Sequence, residues 1–143
     1  MLISTKGRYA LRAVVDLAEH MSEGYIPLKD IASRQDISSK YLEAIIKTLV
    51  KEKIVVGVRG KGGGYRLNVP PADITVARIL RLAEGSLSPV EGLDGDHSSL
   101  TRMSQYRMLD MWRELDELIT GYLESKTVAD LTLAADGADF YVI

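Results

Sequence analysis

The chain has 143 residues, 46% of them hydrophobic and 27% charged, which suits one domain, or one small domain plus an oligomerisation arm, and excludes a large two-domain enzyme. Cysteine is absent, which removes disulfides, thiolate catalysis and metal sites built on Cys ligands. The net charge is −2, yet residues 1–66 carry 12 Lys and Arg against 7 Asp and Glu, while residues 67–143 carry 6 against 13; the front half suits a polyanion and the rest repels it.

From Thr5 to Met21 the residues Ala10, Leu11, Ala13, Val14, Val15, Leu17, Ala18 and Met21 recur at three- and four-residue steps. This predicts a helix capped by Ser4 or Thr5, with Lys6, Arg8, Arg12, Asp16, Glu19 and His20 on its outer face. Pro27 begins a second, short helix carrying Leu28, Ile31 and Ala32 and stopping near Gln35. A third helix follows Ser38 or Ser39 and is expected to bury Tyr41, Leu42, Ile45, Ile46, Leu49 and Val50. Ile54–Val58 and Tyr65–Leu67 read as two strands around the glycine-rich tip Arg59–Gly64, a β-hairpin.

Pro70-Pro71 marks a boundary. Beyond it Thr75–Glu84 reads as a helix ending at Gly85, and residues 85–98 as a Gly, Ser, Pro and Asp loop. A long amphipathic helix is predicted from about Ser99 to Ser125, then a last helix capped by Thr127 with Val128, Leu131 and Leu133 inward. No apolar run approaches the roughly 18 residues that span a bilayer, and Met1–Lys6 lacks the core of a signal peptide. A cytoplasmic chain with no membrane partner is expected.

The unit from Leu28 to Leu49 has the pattern of a helix-turn-helix: small Ala32 where the helices meet, and Leu28, Ile31, Ile37, Leu42 and Ile45 at the offsets that hold the crossing. Asp36 stands in the turn where Gly is commonest, but Asp tolerates a left-handed backbone better than most residues. The hairpin that follows predicts a wing, with Gly60, Gly62, Gly63 and Gly64 letting the backbone approach DNA and Arg59 and Lys61 supplying charge. A nucleotide loop fails as the rival, because the glycines precede neither Gly-Lys-Ser/Thr nor a helix. No nucleophile–base pair stands out either, so no catalytic residue and no enzyme is expected.

Lys6-Gly7-Arg8-Tyr9-Ala10, Tyr41-Leu42-Glu43 and Arg59-Gly60-Lys61-Gly62-Gly63-Gly64-Tyr65, in that order, resemble the signature of the Rrf2 family of bacterial winged-helix transcription regulators. The resemblance implies a mainly α fold: a winged helix-turn-helix DNA-binding domain with a β-hairpin wing, plus a long C-terminal dimerisation helix. It also implies a homodimer, acting as a repressor on a partly palindromic stretch of double-stranded DNA. Carried over, Ser38, Ser39, Lys40 and Glu43 match the major-groove readers and Arg59 the wing arginine; Lys6, Arg8, Lys47 and Lys61 suit phosphates. The expected divisions are a DNA-binding domain over 1–70, a connecting helix and effector-region loop over 71–98, a dimerisation helix over 99–126, and a C-terminal helix and tail over 127–143.

The stripe of the long helix is too wide for a solvated arm, which makes Met108, Met111, Trp112, Leu115 and Ile119 the expected dimer interface. Some relatives carry three cysteines between the connecting and long helices, where this chain has Glu91–Leu100. No iron–sulfur cluster and no other cofactor is therefore expected. Asp94, Asp96 and His97 are potential hard-metal ligands, but in such a loop they read as a solvated connection, and no metal site is assigned. Leu87-Ser88-Pro89-Val90-Glu91 and the tail Phe140-Tyr141-Val142-Ile143 are similar to a cysteine-free branch that controls cysteine metabolism. That branch implies cysteine synthase as a partner, with Tyr141 and Ile143 as its candidate contacts.

Overall fold

A computed structural model describes residues 2–93, 95, 97 and 102–133. Helix α1 (Thr5–Glu19) begins at Ser4, whose hydroxyl accepts the Gly7 N–H at 3.0 Å. Its buried face, Ala10, Ala13, Val14 and Leu17, is the surface on which the other elements pack. The small alanines let neighbours approach closely. Helix α4 (Val76–Glu84) lies against it, and a Cβ at position 7 would run into the Glu84 carboxylate. Gly7 therefore leaves room for Glu84 Oε1 to accept from the Ser4 N–H at 2.8 Å and hydroxyl at 2.5 Å. That carboxylate satisfies a free N–H and offsets the positive end of α1.

Helix α2 (Leu28–Gln35) starts just after Pro27 and ends at Asp36, which takes a left-handed conformation with φ 53° and ψ 50°. The N–H groups of Asp36 and Ile37 bond back to Ser33 O and Ala32 O, so the turn hangs from the last turn of α2. Ser38 then caps helix α3 (Ser39–Lys51) by accepting the Tyr41 N–H at 3.2 Å. The α3 face Leu42, Ile45, Ile46 and Leu49 joins Ile31, Ala32 and Ile37 in the main core, each fully buried large side chain contributing about 1.5–3 kcal/mol. Tyr41 and Val50, expected inside, are exposed. They flank the four buried positions, and the core-facing arc of a single helix is only wide enough for those four.

Asp16 also departs from expectation. Placed on the outer face by helical spacing, it is 2% exposed and the one charged side chain in the core of the described residues. Arg34 of α2 grips both its oxygens, at 2.9 and 2.7 Å, and Gln35 donates to it at 2.9 Å. Burial alone would raise its pKa, but the bonds and charge of Arg34 and the bond from Gln35 hold the carboxyl below the ordinary value. His20, expected to be ordinary surface, is half-buried with Nδ1 2.8 Å from Asp16 O.

Strands β1 (Val55–Val58) and β2 (Gly64–Leu67) pair antiparallel, with Val55 opposite Leu67 and Val58 opposite Gly64. Ile26 and Tyr65 exchange two backbone bonds of 2.8 Å, which pin the hairpin to the segment before α2.

Helix α4 is capped by Thr75 and ends at Gly85, φ 82°. The long helix α5 (Met103–Ser125) begins four residues later than expected; Ser99 and Leu100 lie outside the described residues. It packs on α4, where Arg81 meets Glu124 at 2.9 Å and Leu123 touches a small cluster of Val76, Ala77, Leu80 and Leu87. The chain then returns to the main core, Val76 N–H bonding Lys126 O and Val128 N–H bonding Ile74 O. Val128 is fully buried there, whereas Leu131 and Leu133, expected inward, are exposed. Thr127 and Asp130 bond reciprocally around the 3-10 turn Ala129–Leu131, and the Thr127 N–H and hydroxyl hold the Asp130 carboxyl below its ordinary value. Among the described residues no helix is long and apolar enough to cross a membrane.

Candidate nucleic-acid interface

The first turns of α3 face solvent. Ser38, Ser39, Lys40, Glu43 and Lys47 are all exposed. The Ser38 hydroxyl accepts from Tyr41 N–H but keeps its own proton to donate. Glu43 Oε1 lies 3.6 Å from Lys47 Nζ, one turn on. An ion pair so exposed is worth under about 1 kcal/mol, so the carboxylate is free to exchange Lys47 for an amino donor of a base.

The hairpin presents Arg59 and Lys61 at its exposed tip. Gly63 N–H bonds Gly60 O at 3.0 Å to close the turn, with Gly60 and Gly62 at φ 95° and 76°, a region L-residues avoid. Gly63 and Gly64, read from the sequence as room for DNA, have an internal cause instead. A Cβ on Gly63 would strike the backbone of Val58 and Gly60, and one on Gly64 would strike Ile26.

Lys6 and Arg8 stand exposed on the first turns of α1. Lys6 borders a narrow crevice with Ile45, Thr48 and Leu82, which sets it beside α3. Arg8 donates to Thr5 Oγ1 at 3.2 Å. Spacing alone missed the link between these helices: Tyr9 of α1 meets Tyr41 of α3 edge-on, with ring centres 5.7 Å apart, and the Arg12 guanidinium lies 5.0 Å over the Tyr9 ring. The available signal was the phenolic oxygen of Tyr41, which favours a half-exposed position over a core one. Arg66 of β2, also unassigned, lies 4.8 Å over the Tyr25 ring.

The α5 stripe stands on a different element from all of these. Met108, Met111 and Leu115 are exposed, at 54%, 49% and 37%, as are Leu118 and Tyr122, while Trp112 and Ile119 are half-buried. Tyr141 and Ile143 lie outside the described residues, as do Asp94 and Asp96. His97 Nε2 is 2.8 Å from Leu93 O.

A helix–turn–helix with a left-handed turn residue, followed by a two-stranded wing and backed by a long helix, defines a winged helix-turn-helix protein. The chain belongs to the Rrf2 family, described as "Iron-dependent Transcriptional regulator", which matches residues 3–134. It is 38% identical over 136 residues to the HTH-type transcriptional regulator IscR of Serratia proteamaculans, covering 92% of this chain and 79% of that one. Among solved structures, IscR of T. potens is 38% identical, with a TM-score of 0.77 over 96% of this chain and 90% of that chain. CymR, the global cysteine regulator of B. subtilis, is 34% identical, with a TM-score of 0.72 over 92% and 95%. The chain is thus a DNA-binding transcriptional regulator, from a family of regulators and not of enzymes.

These relatives correct one expectation. No cofactor is expected from the sequence, but the family is described as iron-dependent and the 38% identical relatives are IscR proteins. Absence of thiolates excludes a Cys-ligated cluster but not iron itself, since carboxylates and imidazoles such as those of Asp94, Asp96 and His97 also ligate it. Among the described residues no group of three or more His, Cys, Asp or Glu is placed to hold a metal ion. These residues do not fit such a centre.

Proposed function

We propose that the chain is a homodimeric repressor that grips a partly palindromic operator, α3 in the major groove and the wing in the adjoining minor groove. In this reading Ser38, Ser39, Lys40 and Glu43 read bases, Arg59 enters the minor groove, and Lys6, Arg8, Lys47 and Lys61 neutralise phosphates. One observation carries it: the polar N-terminal turns of α3, the charged wing tip and the basic start of α1 are exposed together on one packed unit, held by side chains that face inward. Residues 1–70 form the DNA-binding part, 71–98 the connection and effector region, 99–126 the dimerisation helix and 127–143 the C-terminal segment.

The uncovered α5 stripe supports the homodimer, because exposed apolar side chains at 108, 111 and 115, with half-buried Ile119 one turn on, repeat on one side of a helix and a second copy would cover them. Two copies also explain how one short recognition helix secures a specific site, since half-sites one DNA turn apart double the contacts. The test is enrichment from random duplexes followed by binding titrations. A palindromic motif is expected. Arg59→Ala and Glu43→Ala should each weaken that motif by about 1–3 kcal/mol, and Lys61→Ala should lower the salt slope by about one charge without changing the motif. Enrichment of no motif would overturn the reading.

The likeness to CymR, a global cysteine regulator, supports a finer version, control of cysteine metabolism, and the resemblance of the tail Phe140–Ile143 to that branch adds a complex with cysteine synthase. Tyr141 and Ile143 are the contacts this version requires. Deleting Ile143 and titrating with the synthase tests it: the version stands if affinity is lost and falls if affinity is unchanged.

A further inference from the structure

The recognition helix reaches the rest of the molecule at its N-terminal end through the last turn of α2. The Asp36 and Ile37 N–H groups bond to Ser33 O and Ala32 O, and Ser38 follows directly as the α3 cap. Whatever fixes the end of α2 therefore fixes Ser38, Ser39 and Lys40. Two adjacent residues of that end, Arg34 and Gln35, are held by one buried carboxylate on α1. Asp16 receives both arms of the Arg34 fork and the Gln35 amide. Arg12, one turn before Asp16 on α1, donates to the Gln35 carbonyl and, at 3.3 Å, to its side chain. The same Arg12 covers Tyr9, whose ring meets Tyr41 in the first turn of α3.

We propose that Asp16 is a positioning residue for sequence discrimination: through Arg34 and Gln35 it sets where the base-reading end of α3 stands, without touching DNA. The physical ground is the geometry of the connection. Apolar packing of Ile31 and Ala32 on α1 is non-directional and tolerates a small rotation of α2, whereas a fork of two bonds on one carboxylate does not. Base contacts need their angle and distance, and hydrogen bonds weaken steeply off line. A lysine or arginine against a phosphate acts largely as charge and tolerates displacement. Loosening the fork should therefore blur base reading and spare general affinity for DNA.

This inference rests on the proposed operator reading, and its test separates the two. The probe is the duplex enriched by the unaltered chain, compared with a scrambled duplex of equal length and composition. The ratio of the two affinities is the readout. A variant that is merely less stable has a smaller folded fraction, which lowers both affinities by the same factor and leaves the ratio untouched. Asp16→Asn and Arg34→Gln should each lower the ratio roughly tenfold, the loss of about one base contact, with the salt slope for the scrambled duplex unchanged. The double variant should lose no more than either single one, because the two residues act as one unit. Arg34→Lys, which keeps the charge and loses the fork, should recover part of the ratio at most. A ratio unchanged in Asp16→Asn and Arg34→Gln overturns the assignment while leaving the operator reading intact. An unaltered chain whose own ratio is near one overturns both.

Discussion

Gly64→Ala should cost far more than an alanine at the neighbouring wing glycine, Gly62. Gly64 has φ 149°, and a Cβ there would lie 2.8 Å from Pro27 N and closer still to the carbonyl carbon and oxygen of Ile26. None of these is the flexible end of a side chain. Ile26 is held by two 2.8 Å bonds with Tyr65, the residue after Gly64, so admitting the methyl group means separating the strand from its anchor. Two lost backbone bonds cost about 1 kcal/mol each, and a non-glycine residue in this backbone region costs about 1–2 kcal/mol more. The expected destabilisation is about 3–4 kcal/mol. Gly62 has φ 76° with nothing within 4 Å of its would-be Cβ, so Gly62→Ala costs only the backbone strain, about 1 kcal/mol. Urea unfolding followed by circular dichroism, at one protein concentration because a dimer's stability depends on it, measures both. Thermal midpoints should fall by roughly 10 °C and 3 °C respectively, at about 3 °C per kcal/mol for a chain of this size. If the glycine existed to admit DNA, Gly64→Ala would leave stability alone and weaken only binding; equal shifts for the two variants would refute the wing anchor.

The Asp16 carboxyl titrates below its ordinary value in the folded chain, so its pairing contributes stability that is complete above about pH 3.8 and is lost as pH falls through the lower folded value. Asp16→Asn should flatten that acid limb and cost roughly 2–3 kcal/mol at pH 7, less than a fully buried pair because Arg34 keeps part of its water. Parallel curves of urea midpoint against pH for the two chains would contradict this. Val128→Ala should destabilise by roughly 2 kcal/mol in the same assay, because Val128 is fully buried among residues of the N-terminal half; an effect below about 0.5 kcal/mol would mean that the C-terminal return does not hold the core. Met111→Glu combined with Leu115→Glu should convert a dimer to monomers in sedimentation velocity with helical content retained. A coefficient that stays dimeric in the variant would remove α5 from the interface, and one already monomeric in the unaltered chain would overturn the proposed dimer.

The first four helices and the hairpin were legible in the sequence because they rest on local rules. Ser38 as a cap, Pro27 before α2, Gly85 after α4 and the left-handed Asp36 are each fixed by the chemistry of one or two residues. The proposed interface was legible for the same reason, since exposed charges at a helix start and at a glycine-rich tip need no distant partner to be recognised. Tertiary structure decided where two distant segments share one space. Helical spacing put Asp16 outside because it cannot know that Arg34 and Gln35 arrive from another helix to satisfy a buried carboxylate. It gave Gly64 to a ligand because Ile26 lies 38 positions away, and it buried Tyr41 because periodicity does not measure how wide a face the core can cover. Local conformation follows from each residue's own sterics and bonding, whereas burial and close approach depend on the partners that the fold brings alongside.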